Sequence, residues 1–383
     1  MSMEFNKQYP AIEDLRKEAQ KKIPRFAFEY LDGGCNEDVN LKRNTDEIRT
    51  VQLKPHYLKT FNGSNLNTTL FGKTYAAPFG IAPVGLQGLM WPNAPEILAK
   101  AAYVHNIPFI LSTVTTMNIE RACELTEGNA WFQLYNPAAE EVRNDIIDRA
   151  AASGCEVLVL LCDVPTFGYR PRDFKNGLAL PPKMSLRNII QILGRPRWAL
   201  NTLRYGTPTF ETLKPYTPEG LNLKQLGAFM DKTFSGRLDT ERIKPIRDRW
   251  KGKLILKGVA SEADTQTAID LGFDGIIVSN HGGRQLDAGE SSIAALQSIV
   301  AKYKHKITIM QDSGLRSGPD IARCLASGAD FTFMGRAFMY GVAALGVQGG
   351  NHTISILKTQ LQQNLEQLCC SSITDLPNYL VHK

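Results

Sequence analysis

The sequence lacks the features that mark several large classes of protein. It has no C-x-x-C pair among its seven cysteines, so the common zinc and dithiol redox spacings are absent. No apolar run approaches the roughly 20 residues that a membrane-spanning helix needs, and the first residues have no apolar core of a secretory signal. We therefore expect neither an integral membrane protein nor a secreted one, and predict a cytoplasmic protein with reduced thiols.

The chain also lacks a large charge of one sign and the usual nucleotide motifs. Its formal net charge is +6 over 383 residues, and no zinc-finger or RNA-recognition signature is present, so nucleic acid is not expected as a partner. No G-x-G-x-x-G follows an early strand, and Gly72-Lys73-Thr74 has Asn67 where a P-loop has its first glycine. A hydrophobic fraction of 43% and a charged fraction of 21% indicate a globular chain.

A repeated unit organises what is present. In three places a helical stretch ends at a glycine. One residue and then an acidic residue follow the glycine, and a short apolar run comes next. Such a glycine favours a left-handed helix C-cap, and the run is short enough to be a strand buried on both faces. The three runs are Val157–Leu161, Ile276–Val278 and Phe331–Met334, and similar runs are Phe79–Pro83, Pro108–Leu111, Trp131–Tyr135, Leu254–Lys257 and Ile307–Asp312. Eight such strands predict an α/β fold, the (β/α)₈ TIM barrel; an open doubly wound sheet is the competing architecture.

The length of the chain predicts additions to the barrel. Two helical patterns, Ile12–Lys22 and Pro24–Leu31, precede the first strand. A long insert follows the fourth strand, and a connection of that length is usually functional or mobile. The predicted division of the single domain 1–383 is an N-terminal helical extension over 1–75, the barrel over 76–182 and 251–345, the insert over 183–250 and a C-terminal segment over 346–383.

Polar residues follow nearly every predicted strand. Active sites of such barrels lie at the C-terminal ends of the strands, so these positions together imply a polar ligand above the barrel. They are Pro83, Val84, Gly85, Ser112, Gln133, Tyr135, Asp163, Lys257, Ser279, His281, Asp312, Gly335 and Arg336.

The loops after the last two strands favour a phosphate group, because these loops form the common phosphate site of this fold. Glycines such as Gly314 let backbone N–H groups approach an anion, and helix N-termini add partial positive charge. Arg316 and Arg336 would add charge-assisted hydrogen bonds. The alternative is that these arginines pair with Asp320 or Asp330 on the surface.

The segment SNHGGRQLD, residues 279–287, follows the sixth strand. A histidine directly after a barrel strand, here His281, suits a general base near neutral pH. Arg284, three residues later, suits a carboxylate ligand. A purely structural histidine is the alternative, but the flanking glycines and the arginine favour catalysis.

This segment resembles the signature of the FMN-dependent L-2-hydroxy acid oxidising family, which includes glycolate oxidase, L-lactate dehydrogenase and (S)-mandelate dehydrogenase. The resemblance covers almost the whole chain. Its other segments are FEYLDGG, IAPVGLQGL, FILST, WFQLY, DVPTFGYRPRDFKNG, LKGV, DSGLRSGPD, GRAF and SITDL. The long insert, with GRPRW at 194–198, is most similar to the dehydrogenase branch. The resemblance implies an FMN flavoprotein and a homotetramer.

The resemblance also implies roles around FMN. The backbone of Pro83, Val84 and Gly85 would line the flavin. Ser112 and Gln133 would hydrogen-bond its ring. Lys257 would lie near N1 and O2, where a cation stabilises the negative charge of the reduced ring. Ser279 would belong to the same shell around the ring. The positions that match the ribityl and phosphate contacts are Asp312, Gly314, Arg316, Gly335 and Arg336.

One position departs from the family pattern. Leu161 stands where the family commonly has a threonine that contacts the flavin. Cys162 follows it, but alternates to the opposite face of a regular strand and is not an obvious replacement.

For the substrate, the resemblance implies an L-2-hydroxy acid that is oxidised to a 2-oxo acid. His281 would remove a proton as two electrons pass to FMN, by a hydride or a carbanion route. The electron acceptor, a quinone, a cytochrome or oxygen, stays open. The residues implied are the base His281 with its partner Asp163, the carboxylate ligands Arg170, Arg284 and Tyr30, and Tyr135 at the substrate hydroxyl.

The resemblance also implies a substrate class. In the family the side chains at Gly85 and Val114 matter for the size of the substrate, and glycolate oxidase carries bulkier groups there. The small residues of this chain would leave space for a methyl group or an aromatic ring, at about 0.8 kcal/mol for each buried CH₂. We therefore expect lactate, longer aliphatic acids or mandelate in preference to glycolate. The alternatives are an oxidase that produces hydrogen peroxide, a non-catalytic flavoprotein, and another FMN barrel such as an isopentenyl diphosphate isomerase, against which H-G-G-R argues.

The segment 183–210 combines basic with apolar residues. It contains Lys183, Arg187, Arg195, Arg197 and Arg204 but no Asp or Glu. Such a stretch suits an anionic membrane surface, where each cation contributes about 1 kcal/mol, and the corresponding insert of mandelate dehydrogenase is its membrane-association region. We expect peripheral, salt-sensitive contact with the inner face of the membrane. A loop packed over the barrel or between subunits is the alternative.

Overall fold

A computed structural model describes residues 5–178, 184–206, 208–218 and 238–381. Eight parallel strands close into a barrel in the order β10-β3-β4-β5-β6-β7-β8-β9. These strands are β3 Phe79–Ile81, β4 Phe109–Ser112, β5 Ala130–Leu134, β6 Val157–Leu161, β7 Lys253–Val259, β8 Gly275–Val278, β9 Thr308–Gln311 and β10 Phe331–Met334. The predicted TIM barrel is confirmed, and each predicted apolar run forms one of its strands. Closure between β10 and β3 rules out the open doubly wound sheet.

The strands are short apolar runs because both of their faces are covered. All residues of β6, for example, are buried, as expected of a parallel strand between a barrel interior and a layer of helices. The repeated glycines end helices as predicted, since Gly154, Gly272 and Gly328 all have positive φ.

Helices surround the barrel and extend it at both ends of the chain. The two predicted N-terminal helices are present, the second one residue further along than expected, after Pro24 at its N-cap. The described α-helices are Ile12–Lys22, Arg25–Asp32, Val39–Ile48, Gln87–Met90, Ala94–Val104, Ile119–Thr126, Glu140–Ala152, Pro171–Lys175, Leu186–Leu193, Pro196–Tyr205, Thr240–Arg249, Glu262–Asp270, Ser292–Tyr303, Gly318–Ala326, Arg336–Leu345 and Gly349–Leu368, and the 3₁₀ helices are Lys214–Tyr216, Gly346–Gln348 and Ile373–Tyr379. None of the helices in these ranges is long and apolar enough to cross a membrane.

A hairpin closes the N-terminal mouth of the barrel. Its strands are β1 Thr68–Leu70 and β2 Lys73–Tyr75, so the Gly72-Lys73-Thr74 motif lies in a hairpin rather than a phosphate loop. Phe71 and Tyr75 pack against the barrel-interior residues Trp131 and Phe331. This end is filled, which leaves the C-terminal mouth as the place for a ligand.

The insert packs on the N-terminal extension through two of its helices. Trp198 is buried, donates to the carbonyls of Leu89 and Met90 at 3.2 Å, and stacks edge-on against Phe26. The predicted insert boundary at 182/183, Lys183 itself and the stretch 219–237 lie outside the described residues. The division into extension, barrel, insert and C-terminal segment stays a prediction.

Candidate active site

A cavity opens at the C-terminal mouth and collects residues from every barrel strand. All of the predicted site residues line it except Asp163 and Ser279, which lie directly behind lining residues. The lining includes Tyr30, Pro83, Val84, Gly85, Ser112, Gln133, Tyr135, Arg170, Lys257, His281, Arg284, Asp312, Gly314, Arg316, Gly335 and Arg336. The residues that were predicted at the strand ends therefore surround a single cavity.

His281 and Asp163 form a pair at this mouth. His281 Nδ1 lies 3.0 Å from Asp163 Oδ1. Burial alone would raise the pKa of the Asp163 carboxyl, but His281 and Lys257 outweigh burial and hold that pKa below its usual value. An ionised carboxylate only accepts hydrogen bonds, so Nδ1 carries the proton and Nε2 is left as a base.

Burial also keeps the imidazole neutral. It lowers the pKa of His281 below its usual value, and the opposing pull of Asp163 does not offset it. A neutral, oriented histidine is the state that a general base needs before it accepts a proton.

The backbone at this histidine is left-handed over three residues. His281, Gly282 and Gly283 have φ of 58°, 66° and 71°. A left-handed non-glycine residue costs roughly 1–2 kcal/mol, and such strain persists only where the surroundings fix it. Here the N-terminal extension does so, because a Cβ on Gly283 would meet the backbone nitrogen of Leu41 at 2.4 Å. The two glycines thus allow the loop to pass beneath the extension.

A β-bulge brings Asp163 to the histidine. The register between β7 and β8 shifts between Lys257 and Val259. Gly258, at the shift, has φ of 102°, and a Cβ there would lie 2.5 Å from that of Asp163. Only a glycine allows the carboxylate to approach this closely.

Two arginines face the same cavity beside His281. Nη1 of Arg284 donates to the carbonyls of Tyr30 and Gly33 at 2.7 and 2.8 Å, and its guanidinium lies 5.0 Å from the centre of the Tyr30 ring. Burial and the neighbouring Arg170 lower the pKa of Arg284 to about 10, which still leaves it charged at neutral pH. Arg170 Nε is buried without a hydrogen-bond partner in the described part of the chain. Two crowded cations with an unsatisfied donor suit a small anion.

Gln285 connects the two loops that carry these groups, and the sequence argument did not identify it. Its Oε1 accepts from Gly168 N at 3.2 Å and lies 3.4 Å from Arg170 Nη2, while its Nε2 donates to the carbonyls of Asp163 and Thr166 at 3.2 and 3.0 Å. It thus fixes the position of the loop after β6 relative to the loop after β8. Its position beside Arg284 was the only signal in the sequence.

Lys257 sits in a buried polar cluster at the floor of the cavity. Its Nζ is 2.9 Å from Asp312 Oδ2 and donates to Ser279 Oγ at 3.0 Å. Burial alone would lower the pKa of Lys257, but Asp312 and Asp163 raise it above its usual value. Lys257 therefore stays protonated at the cavity floor, within an ion pair with Asp312.

Gln133 is oriented towards the cavity by its neighbour. Ser112 Oγ donates to Gln133 Oε1 at 2.9 Å, which turns the amide nitrogen the other way. That nitrogen, Nε2, is buried and has no hydrogen-bond partner among the described residues. A buried, unsatisfied donor in a cavity wall indicates a ligand that accepts a hydrogen bond.

Arg316 and Arg336 stay at the cavity rather than pairing with surface carboxylates. Asp320 pairs with Arg323 at 3.1 Å and Arg49 at 3.5 Å, and Asp330 pairs with Lys304. The surface-pairing alternative is therefore wrong for the side chains, although Asp320 does accept from the backbone N–H of Arg316.

Arg336 is held by three carbonyl oxygens. It donates to Leu31, Gly282 and Gly33 at 2.8–2.9 Å. Burial and Arg316 lower the pKa of Arg336 to about 9, so Arg336 remains cationic at neutral pH. Gly314 beside them has φ of 91° and packs against Asn44, where a Cβ would be 2.8 Å from the backbone.

Apolar residues complete the wall. Leu161 lines the cavity at the position where the family commonly has threonine, and Val114 and Met90 line it as well. Cys162 does not line it and instead approaches the carbonyl of Lys257 at 3.2 Å, in agreement with its predicted outward direction.

Residues 19–383 match the family described as FMN-dependent dehydrogenase. The chain belongs to the FMN-dependent dehydrogenase family. The predicted family is thereby confirmed, and with it an oxidoreductase that uses FMN.

Two relatives show how far the similarity extends. (S)-Mandelate dehydrogenase of Pseudomonas putida is 36% identical over 370 residues, which are 96% of this chain and 93% of the relative. L-Lactate dehydrogenase of Vibrio parahaemolyticus is 36% identical over 367 residues, which are 96% of this chain and 97% of the relative.

Solved structures agree. A crystal structure of the monotopic membrane protein (S)-mandelate dehydrogenase has a TM-score of 0.93 at 35% identity and covers 98% of this chain and 100% of its own. Mandelate oxidase with benzoyl-formic acid has a TM-score of 0.81 at 28% identity and covers 98% of both chains.

The residues around the cavity fit FMN. The unsatisfied Gln133 Nε2 is a donor for an acceptor on the flavin ring. Lys257 would supply a buried cation to the flavin, and Arg316 and Arg336, which line the same cavity, would supply two more to its phosphate. At Gly335 a Cβ would meet Val84 at 3.0 Å, so the glycine allows Val84 to pack closely against the backbone in this wall of the cavity.

Proposed function

We propose that this dehydrogenase oxidises an L-2-hydroxy acid to the 2-oxo acid, with His281 as the catalytic base. The observation that carries the proposal is the 3.0 Å His281–Asp163 contact in the same cavity as Arg170 and Arg284. A base beside two cations is the arrangement that a substrate with an acidic proton and a carboxylate requires.

The carboxylate of the substrate binds to the two arginines. Arg284 is already oriented by the carbonyls of Tyr30 and Gly33, and Arg170 has a buried nitrogen to satisfy. Tyr30 adds a third ligand. Burial and Asp163 raise the pKa of Tyr135, so its hydroxyl keeps its proton and serves at the substrate hydroxyl.

His281 then removes the proton through Nε2. Asp163 stabilises the imidazolium that results and keeps the ring in position. When bound, FMN accepts the two electrons that leave the hydroxy acid. Lys257 lies where it stabilises the resulting negative charge.

The other proposed FMN ligands divide by position. Those at the ring end are the backbone of Pro83, Val84 and Gly85 with the side chains of Ser112, Gln133 and Ser279. Those at the ribityl and phosphate end are Asp312, Gly314, Arg316, Gly335 and Arg336. In this assignment the side chain of Arg336, with three bonds already made to the protein, contributes mainly charge.

The wall of the cavity favours substrates larger than glycolate. Gly85 and Val114 face each other, and a Cβ on Gly85 would lie 3.1 Å from Val114 Cγ2. A side chain at position 85 would crowd Val114 and narrow the cavity, so the glycine keeps this part of the wall open. On this basis we expect lactate, longer aliphatic acids or mandelate in preference to glycolate.

Electrons leave to a quinone in the membrane, to which the protein attaches peripherally through 183–210. In the described part of this segment the apolar side chains are unusually exposed: Leu186 by 80%, Leu203 by 80% and Leu193 by 74%. Exposed leucines beside basic residues suit an anionic lipid surface. The second candidate is an oxidase that returns electrons to oxygen.

An anaerobic experiment tests the proposal. The purified protein is mixed with L- and D-2-hydroxy acids, and bleaching of the flavin is followed. Oxygen, a quinone and cytochrome c are then added separately, and the return of colour is timed. We expect bleaching by L-lactate or L-mandelate and fast recovery with the quinone.

Two results would count against it. No bleaching by any L-2-hydroxy acid would refute the substrate class. Fast recovery with oxygen, peroxide formation and no binding to anionic vesicles would favour the oxidase.

A further inference from the structure

A second cleft lies apart from the active-site cavity, where the N-terminal extension meets the insert. It has a volume of about 800 Å³. Its cations are Arg16, Arg25, Arg172, Lys175, Arg187 and Arg195, and its only described carboxylates are Glu29 and Asp32. Arg172 also pairs with Asp38, outside the lining, so the excess positive charge of the cleft comes from the other three cations, Lys175, Arg187 and Arg195.

The two carboxylates are already neutralised. Asp32 accepts two hydrogen bonds from Arg16, at 2.7 and 2.8 Å, and a third from the Tyr340 hydroxyl at 2.7 Å. Glu29 accepts from Arg25 Nε at 2.6 Å and from an asparagine at 2.5 Å. Both carboxylates are thus already paired, and neither neutralises Lys175, Arg187 or Arg195.

Three of those cations lack a carboxylate partner. Lys175, Arg187 and Arg195 form no ion pair with any residue in the described part of the chain; Arg195 bonds only to the carbonyls of Ile23 and Gly194. They come from three different helical segments or their ends. Cations that converge in a cleft without a counter-charge form a site for an external anion.

The place of the cleft identifies the kind of anion. Arg187 belongs to the helix Leu186–Leu193, whose Leu186, Ile190 and Leu193 are exposed by 80%, 70% and 74%. The cleft thus adjoins the apolar surface that is proposed above to contact lipid. A phosphate group, with its several acceptor oxygens, matches guanidinium forks.

We propose that this cleft binds the phosphate headgroup of an anionic phospholipid. The proposal rests on the membrane association proposed above and assigns to it a defined headgroup site. Insertion of exposed leucines supplies affinity for any bilayer, whereas the cleft supplies preference for an anionic one.

Two double variants of the FMN-loaded protein test the site. K175Q/R187Q removes two cleft cations that have no ion-pair partner. R197Q/R204Q is the matched control, because it removes the same charge from exposed positions of the neighbouring insert that do not line the cleft. Binding is measured by sedimentation with phosphatidylcholine vesicles, with and without phosphatidylglycerol, at constant ionic strength.

We expect K175Q/R187Q to lose about 10- to 30-fold in affinity for phosphatidylglycerol vesicles, from roughly 1 kcal/mol for each cation. Binding of R197Q/R204Q should fall several-fold less. Equal losses in the two variants would overturn the proposal, because charge would then act diffusely. Calorimetry with glycerol phosphate supplies a further arm. If this soluble ester binds in the cleft but the cleft variant binds vesicles as the control does, the lipid assignment is wrong.

Turnover with a soluble dye separates this proposal from the catalytic one. Both variants should oxidise the hydroxy acid at the rate of the unmodified protein. If the unmodified protein turns over with dye but does not bind vesicles, membrane association and the headgroup site fail together, while the hydroxy acid chemistry stands.

Discussion

The two mouths of the barrel are built from opposite kinds of residue. At the N-terminal mouth, rings lie against one another, with centroid distances of 5.9 Å for Phe71–Trp131 and for Tyr75–Phe331. At the C-terminal mouth, cations and carboxylates are buried around a cavity. Burial of rings stabilises the fold, whereas burial of charge opposes it unless a partner is present. Stability and chemistry are thus concentrated at opposite ends of one barrel.

The largest effect is expected at the polar mouth from His281→Ala. Because His281 supplies the base, turnover should fall by roughly 10²–10⁴-fold or more. Flavin should stay bound, since most of the proposed FMN ligands are on other strand ends. Stopped-flow reduction with the preferred acid measures the change, and flavin absorbance of the purified variant is the control. Reduction at the unmodified rate would disprove the assignment.

The matching change at the apolar mouth is Phe331→Ala. Phe331 is fully buried and does not line the cavity, so its loss leaves a void in the barrel interior. We expect the free energy of unfolding to fall by about 3–5 kcal/mol, measured by denaturant titration, with KM for the acid unchanged in the folded fraction. A large change in KM without loss of stability would contradict the separation of the two mouths.

The sequence predicted the barrel strands and the polar mouth, but not the aromatic hairpin that fills the N-terminal mouth. Runs such as Val157–Leu161 are recognisable because a strand covered on both faces must be apolar throughout. The polar strand ends follow from barrel geometry. Contacts such as those of Gln285, and the three carbonyls around Arg336, depend on how the extension packs on the loops, and no local pattern encodes that packing. The cationic cleft was hidden for the same reason, because four separate segments build it.

A moderate effect is expected from Gln285→Leu, which keeps the volume and removes the hydrogen bonds between the two catalytic loops. Loss of roughly two hydrogen bonds at about 1 kcal/mol each predicts a fall in kcat/KM of about 30-fold. We expect the change mainly in KM, because Arg170 loses the acceptor beside its Nη2 and keeps only its ion pair with Asp173. Gln285→Glu keeps the side-chain acceptor for Gly168 and Arg170, so its kcat/KM should lie between those of the unmodified protein and Gln285→Leu. An unchanged KM would show that the loops hold their positions without Gln285.

A smaller effect is expected from Gly85→Ala. The added Cβ would lie 3.1 Å from Val114 Cγ2, so the cavity narrows beside the substrate. At about 0.8 kcal/mol for one methyl-sized group, the ratio of kcat/KM for mandelate to that for lactate should fall about fourfold. G85A/V114A, in which the wall recedes again, is the matched control. A ratio that rises in G85A would show that this wall does not limit size.

The smallest effect needs no substitution. Activity requires neutral His281, so kcat/KM is lost as pH falls and the imidazole becomes protonated. Because burial lowers the pKa of His281, the midpoint should lie below the ordinary value of about 6.5. Asp163→Asn removes a group that raises this pKa and should move the midpoint further towards acid, at much reduced turnover. A midpoint above the ordinary value would contradict a buried neutral base.

The carbonyls of Tyr30, Leu31 and Gly33 also set the order in which the site is assembled during synthesis. They hold Arg284 and Arg336, which lie 254 and 305 residues further along the chain. At about 5–20 residues per second, the last arginine leaves the ribosome roughly 15–60 s after the first carbonyl. The carbonyls near the N-terminus are therefore hydrogen-bonded to water until Arg336 has been synthesised. A polypeptide released before residue 284 would carry six of the eight barrel strands but neither of these two arginines.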